Sequence, residues 1–220
     1  MPQDTAGALG RLDEITRRLR AECPWDREQD ERSIVPHTVE EAYELADAAH
    51  SGDDAKLLDE LGDVLFQVLF LSLLMEERGA GDLEQVADHC RGKLVRRHPH
   101  VFGDVEADTA REVLENWDQI KADKEGGGLF GELPDTLPAT LYAKKALRRA
   151  ARVASQDSPS ISARVLDLEQ VSEPDAAFAA AGDLLLAAVA ASANAGADPE
   201  LALRAAADRY MSKVKEANTE

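Results

Sequence analysis

The sequence predicts an all-α protein built as a helical bundle of two tandem related repeats, the second degenerate. Three observations carry this expectation. Apolar residues recur at helical period along most of the chain, and runs of β-branched residues are absent. Gly126-Gly127-Gly128, with Pro134 and Pro138 behind it, separates two helix-rich halves. Leu61-Gly62-Asp63-Val64-Leu65-Phe66 is echoed by Ala181-Gly182-Asp183-Leu184-Leu185-Leu186, as duplication of one unit would produce.

The first helix is expected from about Ala8 to Ala21, where Leu9, Leu12, Ile15 and Leu19 form one stripe. Cys23-Pro24-Trp25-Asp26 breaks it. The second is expected to start at Pro36, with Thr38 as N-cap and Glu41 at capping-box spacing, and to end near Ser51-Gly52-Asp53-Asp54. A third runs from about Ala55 to Arg78 and closes at Gly79 and Gly81; a fourth spans Leu83 to Arg97 and stops at Pro99. A shorter helix is expected over 110–124. Beyond the linker lie helices at about Thr140–Ala154, Asp175–Ala195 and Pro199–Ala217. Residues 1–125 are thus expected to form a catalytic helical domain, 126–139 a linker, and 140–220 a second repeat without catalytic function.

Composition narrows the function. The 220 residues are 44% hydrophobic, enough for a real core, and carry a formal charge of −18. That charge repels nucleic acid and anionic lipid, so neither is an expected partner. A phosphate substrate is compatible only where local cations invert the field. Cys23 and Cys90 form no disulfide framework and no Cys-x-x-Cys metal spacing; free thiols fit a reducing cytoplasm. The first thirty residues show no signal-peptide pattern. Leu61 to Met75 is apolar but short of the ~20 residues of a membrane span, and holds Asp63, Gln67 and Ser72. It reads as a buried bundle helix.

The chemistry is concentrated in five carboxylates: Glu40, Glu41 and Glu44, then, after fifteen residues, Glu60 and Asp63. Helical spacing sets each group on one face. Asp63 opens the apolar run Val64 to Met75, where a carboxylate is costly unless paired or metal-bound. Hard oxygen ligands suit Mg²⁺, with Mn²⁺ as a substitute, and Mg²⁺ commonly accompanies substrate phosphates. The pattern reads as a metal-dependent enzyme acting on a phosphate ester or anhydride. Lys93, Arg96 and Arg97 end the fourth helix, and Lys56 lies one turn before Glu60; these are the cations available to a phosphate substrate. Trp25 is the better base-stacking candidate of the two tryptophans. His98-Pro99-His100 reads as a structural turn.

These motifs together resemble the MazG family of nucleoside triphosphate pyrophosphohydrolases. The resemblance rests on Glu-Glu-x-x-Glu followed by Glu-x-x-Asp, on Cys23-Pro24-Trp25-Asp26, on Leu65-Phe66-Gln67, and on Arg96-Arg97-His98-Pro99-His100-Val101-Phe102. It implies Mg²⁺ ligation by Glu41, Glu44, Glu60 and Asp63, and a role for Glu40 in orienting or deprotonating the attacking water. It further implies phosphate binding by the basic positions, an all-α homodimer, and conversion of a nucleoside triphosphate to monophosphate and pyrophosphate. In the second half Ala180 replaces Glu60, residues 167–171 offer no Glu-Glu-x-x-Glu, and Asp183 alone remains.

Rival readings make different demands. A di-iron bundle needs two Glu-x-x-His motifs, and the chain offers only Asp47-x-x-His50. A pyrophosphohydrolase narrowed to dUTP or phosphoribosyl-ATP differs in its base pocket, which is built from loops. A non-catalytic helical interaction protein would have lost metal binding.

Overall fold

A computed structural model describes residues 4–110, 112–114, 116–117, 120, 130, 133–151 and 160–218. The chain divides into two compact units, Met1–Val113 and Leu114–Glu220. Among the described residues all regular structure is helical. The expected linker glycines lie outside them, as does much of the expected helix over 110–124, whose described residues 112–114 and 116–117 are helical.

Unit 1 begins with α1 (Thr5–Glu22), where the Asp4 carboxylate accepts from the Gly7 amide. Cys23-Pro24-Trp25-Asp26 does not simply break the chain: Pro24 starts a short α2 (Pro24–Glu28). α3 (Glu31–Ser51) opens with a reciprocal cap in which the Asp30 carboxylate accepts from the Ser33 amide and the Ser33 hydroxyl from the Asp30 amide. This corrects the start expected at Pro36 and Thr38. The Asp30–Ser33 cap nucleates earlier, leaving Pro36 inside the helix, where it cannot donate to the Arg32 carbonyl. Thr38 is no cap; its hydroxyl turns to the Ile34 carbonyl and Gln67 Oε1.

Gly52, at φ 71°, ends α3 in the left-handed region that glycine tolerates. Asp53 then caps α4 (Asp54–Glu77) by accepting from the Ala55 and Lys56 amides. α3 and α4 form the most intimate helix pair in the unit, a hairpin around Ile34, Phe70 and Leu74 with Phe66 and Leu71 against them. α5 (Leu83–Arg97) has the expected bounds. The structural turn expected at His98-Pro99-His100 is instead a helix start: Pro99 opens a short α6 (Pro99–Phe102).

Arg20 fastens α1 to the rest of unit 1. Its guanidinium donates to both Glu77 oxygens and to the Asp26 and Gln29 carbonyls, and lies 5.9 Å from the Phe70 ring centroid. Arg17 grips Glu76 in parallel. Arg20→Met is expected to cost about 2 kcal/mol, because two carbonyls lose a charged donor. Hydrogen bonds from Arg17 and Arg20 hold the Glu76 and Glu77 carboxyls below the usual range. Stability from these pairs is therefore complete above the ordinary glutamate pKa of about 4.3 and lost as pH falls through the depressed values. Thermal unfolding of wild type and Glu77→Gln across acid pH checks this: the two curves should converge on acidification.

Unit 2 contains α7 (Ala139–Ala150), α8 (Ile161–Gln170), α9 (Pro174–Asn194) and α10 (Pro199–Ala217). α9 packs against α7, α8 and α10. Lys144 Nζ to Asp198 (2.7 Å) and the Thr140 hydroxyl to Glu200 tie α7 to the start of α10. Residues 152–154, expected to extend α7, lie outside the described set. α8 was not expected from the sequence. It is short and its Ser160 N-cap makes no side-chain hydrogen bond, so the usual start signal is silent. α9 is long and apolar enough to cross a membrane by length and composition (mean hydropathy 1.8). Asp183, near its middle, is nevertheless ion-paired to Arg164 of α8.

Candidate active site

The α3–α4 hairpin gathers the acids. One carboxylate oxygen from each of Glu41, Glu60 and Asp63 lies within 4.8 Å of the others. Glu41 is half-buried, Glu60 is 7% exposed, and Asp63 is exposed. Asp63, at the start of the apolar run, faces outward, while Glu60 is taken into the helix interface. α4 is apolar on most of its circumference, so its sequence does not reveal which acid turns toward α3.

Burial, first, raises the pKa of both Glu41 and Glu60. For Glu41 the neighbouring charges of Asp63, Glu44, Glu60 and Glu40 add to the rise. For Glu60, Glu44, Asp63 and Asp59 raise it and Lys56 opposes them. Glu44 and Glu40 are exposed and outside the closest group, but their charges reach it. The three clustered carboxylates repel one another, Glu44 and Glu40 add to that repulsion, and a cation relieves it. The donors are all hard oxygens, the class that Mg²⁺ and Mn²⁺ prefer. Oxygens on one such ion are roughly 3–4 Å apart, a spacing comparable with that of the observed group. The residues fit a divalent cation.

Lys56 stands on α4 beside Glu60 and lines, with Asp53, Leu58, Asp59, Gly62 and Asp63, an open concavity of about 650 Å³. Trp25, 51% exposed on α2, meets His37 of α3 edge-on with ring centroids 5.8 Å apart. His37 Nδ1 in turn lies 3.7 Å from Glu40 Oε2. His37 makes no metal spacing with another histidine, so it carries no metal-site signal in the sequence. Its position three and four residues before Glu40 and Glu41 was the available signal. Lys93, Arg96 and Arg97 lie on the last turns of α5, with Lys93 and Arg97 half-buried and Arg96 exposed. The acidic group itself is built by α3 and α4 alone. A second hollow, lined by Arg17, Arg20, Arg27 and Glu77, sits toward the other end of α4. Its Arg17 and Arg20 are already bound to Glu76 and Glu77, so it is a structural junction.

A helical hairpin that gathers a buried, a half-buried and an exposed carboxylate defines an all-α protein with an acidic metal-type site. Residues 29–102, which include every one of these acids, match the MazG nucleotide pyrophosphohydrolase domain. The nucleoside triphosphate pyrophosphohydrolase of Escherichia coli (strain K12) is 35% identical over 232 residues, covering 94% of this chain and 86% of that protein. A Thermotoga maritima protein named nucleoside triphosphate pyrophosphohydrolase/pyrophosphatase MazG is 34% identical over 202 residues, covering 88% and 78%. The crystal structure of a MazG-related protein from Thermotoga maritima aligns at 27% identity and a TM-score of 0.45, covering 51% of this chain and 97% of that one. The chain belongs to the MazG family of nucleotide pyrophosphohydrolases.

Proposed function

We propose that the protein is a Mg²⁺-dependent enzyme hydrolysing nucleoside triphosphates between the α and β phosphorus to monophosphate and pyrophosphate. The observation that carries this reading is the meeting of Glu41, Glu60 and Asp63 on the α3–α4 hairpin. Its chemical class is supported by family membership and by relatives named for the reaction. Glu41, Glu44, Glu60 and Asp63 hold the cation, and Mn²⁺ can replace Mg²⁺. Bound there, the ion supplies positive charge against phosphate oxygens and acidifies water. Glu40 orients and deprotonates the attacking water, and His37 at 3.7 Å limits the freedom of its carboxylate. Lys56, Lys93, Arg96 and Arg97 balance the charge of the departing pyrophosphate, and the exposed Trp25 ring offers the base a stacking face. Separation of monophosphate and pyrophosphate from diphosphate and phosphate tests the linkage, and ¹⁸O-water then tests the point of attack: label in the monophosphate means attack at α-phosphorus, and label in pyrophosphate would mean attack at β-phosphorus. Clearance of noncanonical nucleotides in the cytoplasm is the corresponding role, and the half-buried Cys23 and exposed Cys90 suit a reducing compartment.

The enzyme acts as a homodimer through unit 1. Leu58, Leu61, Leu65 and Val68 are 75%, 50%, 37% and 39% exposed. Their spacing draws one stripe along α4, the pattern of a helix awaiting a partner helix. Leu61→Lys combined with Leu65→Lys is expected to convert the dimer to monomer in sedimentation analysis, and an unchanged dimer would place the interface elsewhere.

Residues 140–220 form a degenerate second repeat without catalytic function. Asp183→Asn is expected to leave turnover within about 2-fold, since Asp183 is already ion-paired to Arg164 and the acids of the metal-type group lie on α3 and α4. A large loss in steady-state assay would mean that the repeat still takes part.

A further inference from the structure

Setting Gly182-Asp183 on Gly62-Asp63 without a gap gives each of the five site acids a counterpart in unit 2. Glu40, Glu41, Glu44, Glu60 and Asp63 correspond to Ser160, Ile161, Arg164, Ala180 and Asp183. This register replaces residues 167–171 as the counterpart of the first acidic motif, and it coincides with α8, which Ser160 precedes. α8 and α9 pack on each other as α3 and α4 do. Four of the five carboxylates are gone, and the position of Glu44 has reversed sign.

The reversed residue faces the surviving acid. Arg164 Nη1 lies 3.2 Å from Asp183 Oδ2 across the helix pair and 3.3 Å from Asp167 Oδ2 on its own helix. Its side chain is 29% exposed and those of Asp183 and Asp167 are 55% and 56% exposed. We infer that in this hairpin the Arg164 guanidinium has replaced a divalent cation as the counter-charge between the helices, making unit 2 metal-independent. The inference rests on reading unit 2 as a second copy and the unit 1 acids as a metal site.

Chemistry favours the substitution over a shared occupancy. Mg²⁺ and Mn²⁺ require several oxygen ligands around one point. The aligned positions offer one, already engaged, beside a fixed positive charge that repels a dication. Ala180 removes the buried ligand that Glu60 provides, and Ile161 removes that of Glu41. An internal cation also keeps the hairpin joined when metal is scarce, so unit 2 holds its structure whatever the state of the unit 1 site.

Mn²⁺ binding to the full-length chain, followed by electron paramagnetic resonance of the free ion, tests this. In a background carrying Glu41→Gln, Glu60→Gln and Asp63→Asn, no Mn²⁺ should bind at concentrations that saturate wild type. Adding Arg164→Glu and Ala180→Glu to that background should create Mn²⁺ binding that Asp183→Asn removes again. Binding in the neutralised background that Asp183→Asn abolishes would overturn the inference, because unit 2 would already hold metal. Binding there that Asp183→Asn leaves untouched would instead overturn the unit 1 assignment. A folded Arg164→Glu, Ala180→Glu chain that gains no Mn²⁺ would also count against the guanidinium as the excluding group. If that chain does not fold, thermal unfolding in EDTA decides. Arg164→Gln and Asp183→Asn should each lower Tm by about 2 °C, with no further loss in the double variant. Fully additive losses would contradict a direct pairing.

Discussion

Glu60→Gln is expected to reduce turnover by at least about 10²-fold, the scale on which removal of one electrostatic contact at a reacting centre is felt. Glu60 is the most buried of the site acids, at 7% exposure, and sits where α3 and α4 meet. Glutamine keeps its shape and removes the charge, so circular dichroism should be unchanged. The metal-free variant should also be no less stable than wild type at neutral pH. Burial and the charges of Glu44, Asp63 and Asp59 already disfavour the ionised form of Glu60. Loss of activity in a protein that is equally or more stable is the signature of a functional carboxylate. A near-wild-type rate would remove Glu60 from the mechanism.

Chelation is the second large effect. EDTA should stop turnover completely while leaving helicity intact, and Mg²⁺ or Mn²⁺ should restore it. The pH dependence has a definite sign. Glu41 and Glu60 titrate above their usual range in the metal-free fold. Between the ordinary glutamate pKa of about 4.3 and those raised values the folded chain binds more protons than the unfolded one. Their contribution to metal-free stability therefore falls as pH rises through that window. Mg²⁺ competes with those protons, so its stabilising effect should grow over the same window. The difference in Tm between Mg²⁺ and EDTA, measured against pH, isolates this effect from the Arg17–Glu76 and Arg20–Glu77 pairs, which are common to both conditions. A difference independent of pH would mean that the ion binds away from these two glutamates.

The sequence made much of this legible, for identifiable reasons. Carboxylates at helical spacing on two consecutive helices announce a shared site, and α3 and α4 do bring Glu41, Glu60 and Asp63 together. α5 was bounded correctly because Asp82 accepts from the Gln85 amide at its start and Pro99 follows its end. The α3 start was misplaced because proline is normally a start signal, whereas Asp30 and Ser33 form a stronger one six residues earlier. Which acid is buried was hidden by the apolar surface of α4. α8 was hidden by its length and weak cap. The Arg164–Asp183 contact requires two helices in register, and only three-dimensional structure brings them there.

The carboxylates of α3 and α4 are proposed to support hydrolysis of a nucleoside triphosphate at its α–β bond. The most direct test is product analysis of the purified protein with a panel of ribo- and deoxyribonucleoside triphosphates, with and without Mg²⁺. Monophosphate and pyrophosphate, formed only with metal and absent in Glu41→Gln, is the predicted result. Diphosphate and inorganic phosphate, or product formation that persists in the metal-free enzyme, would contradict it.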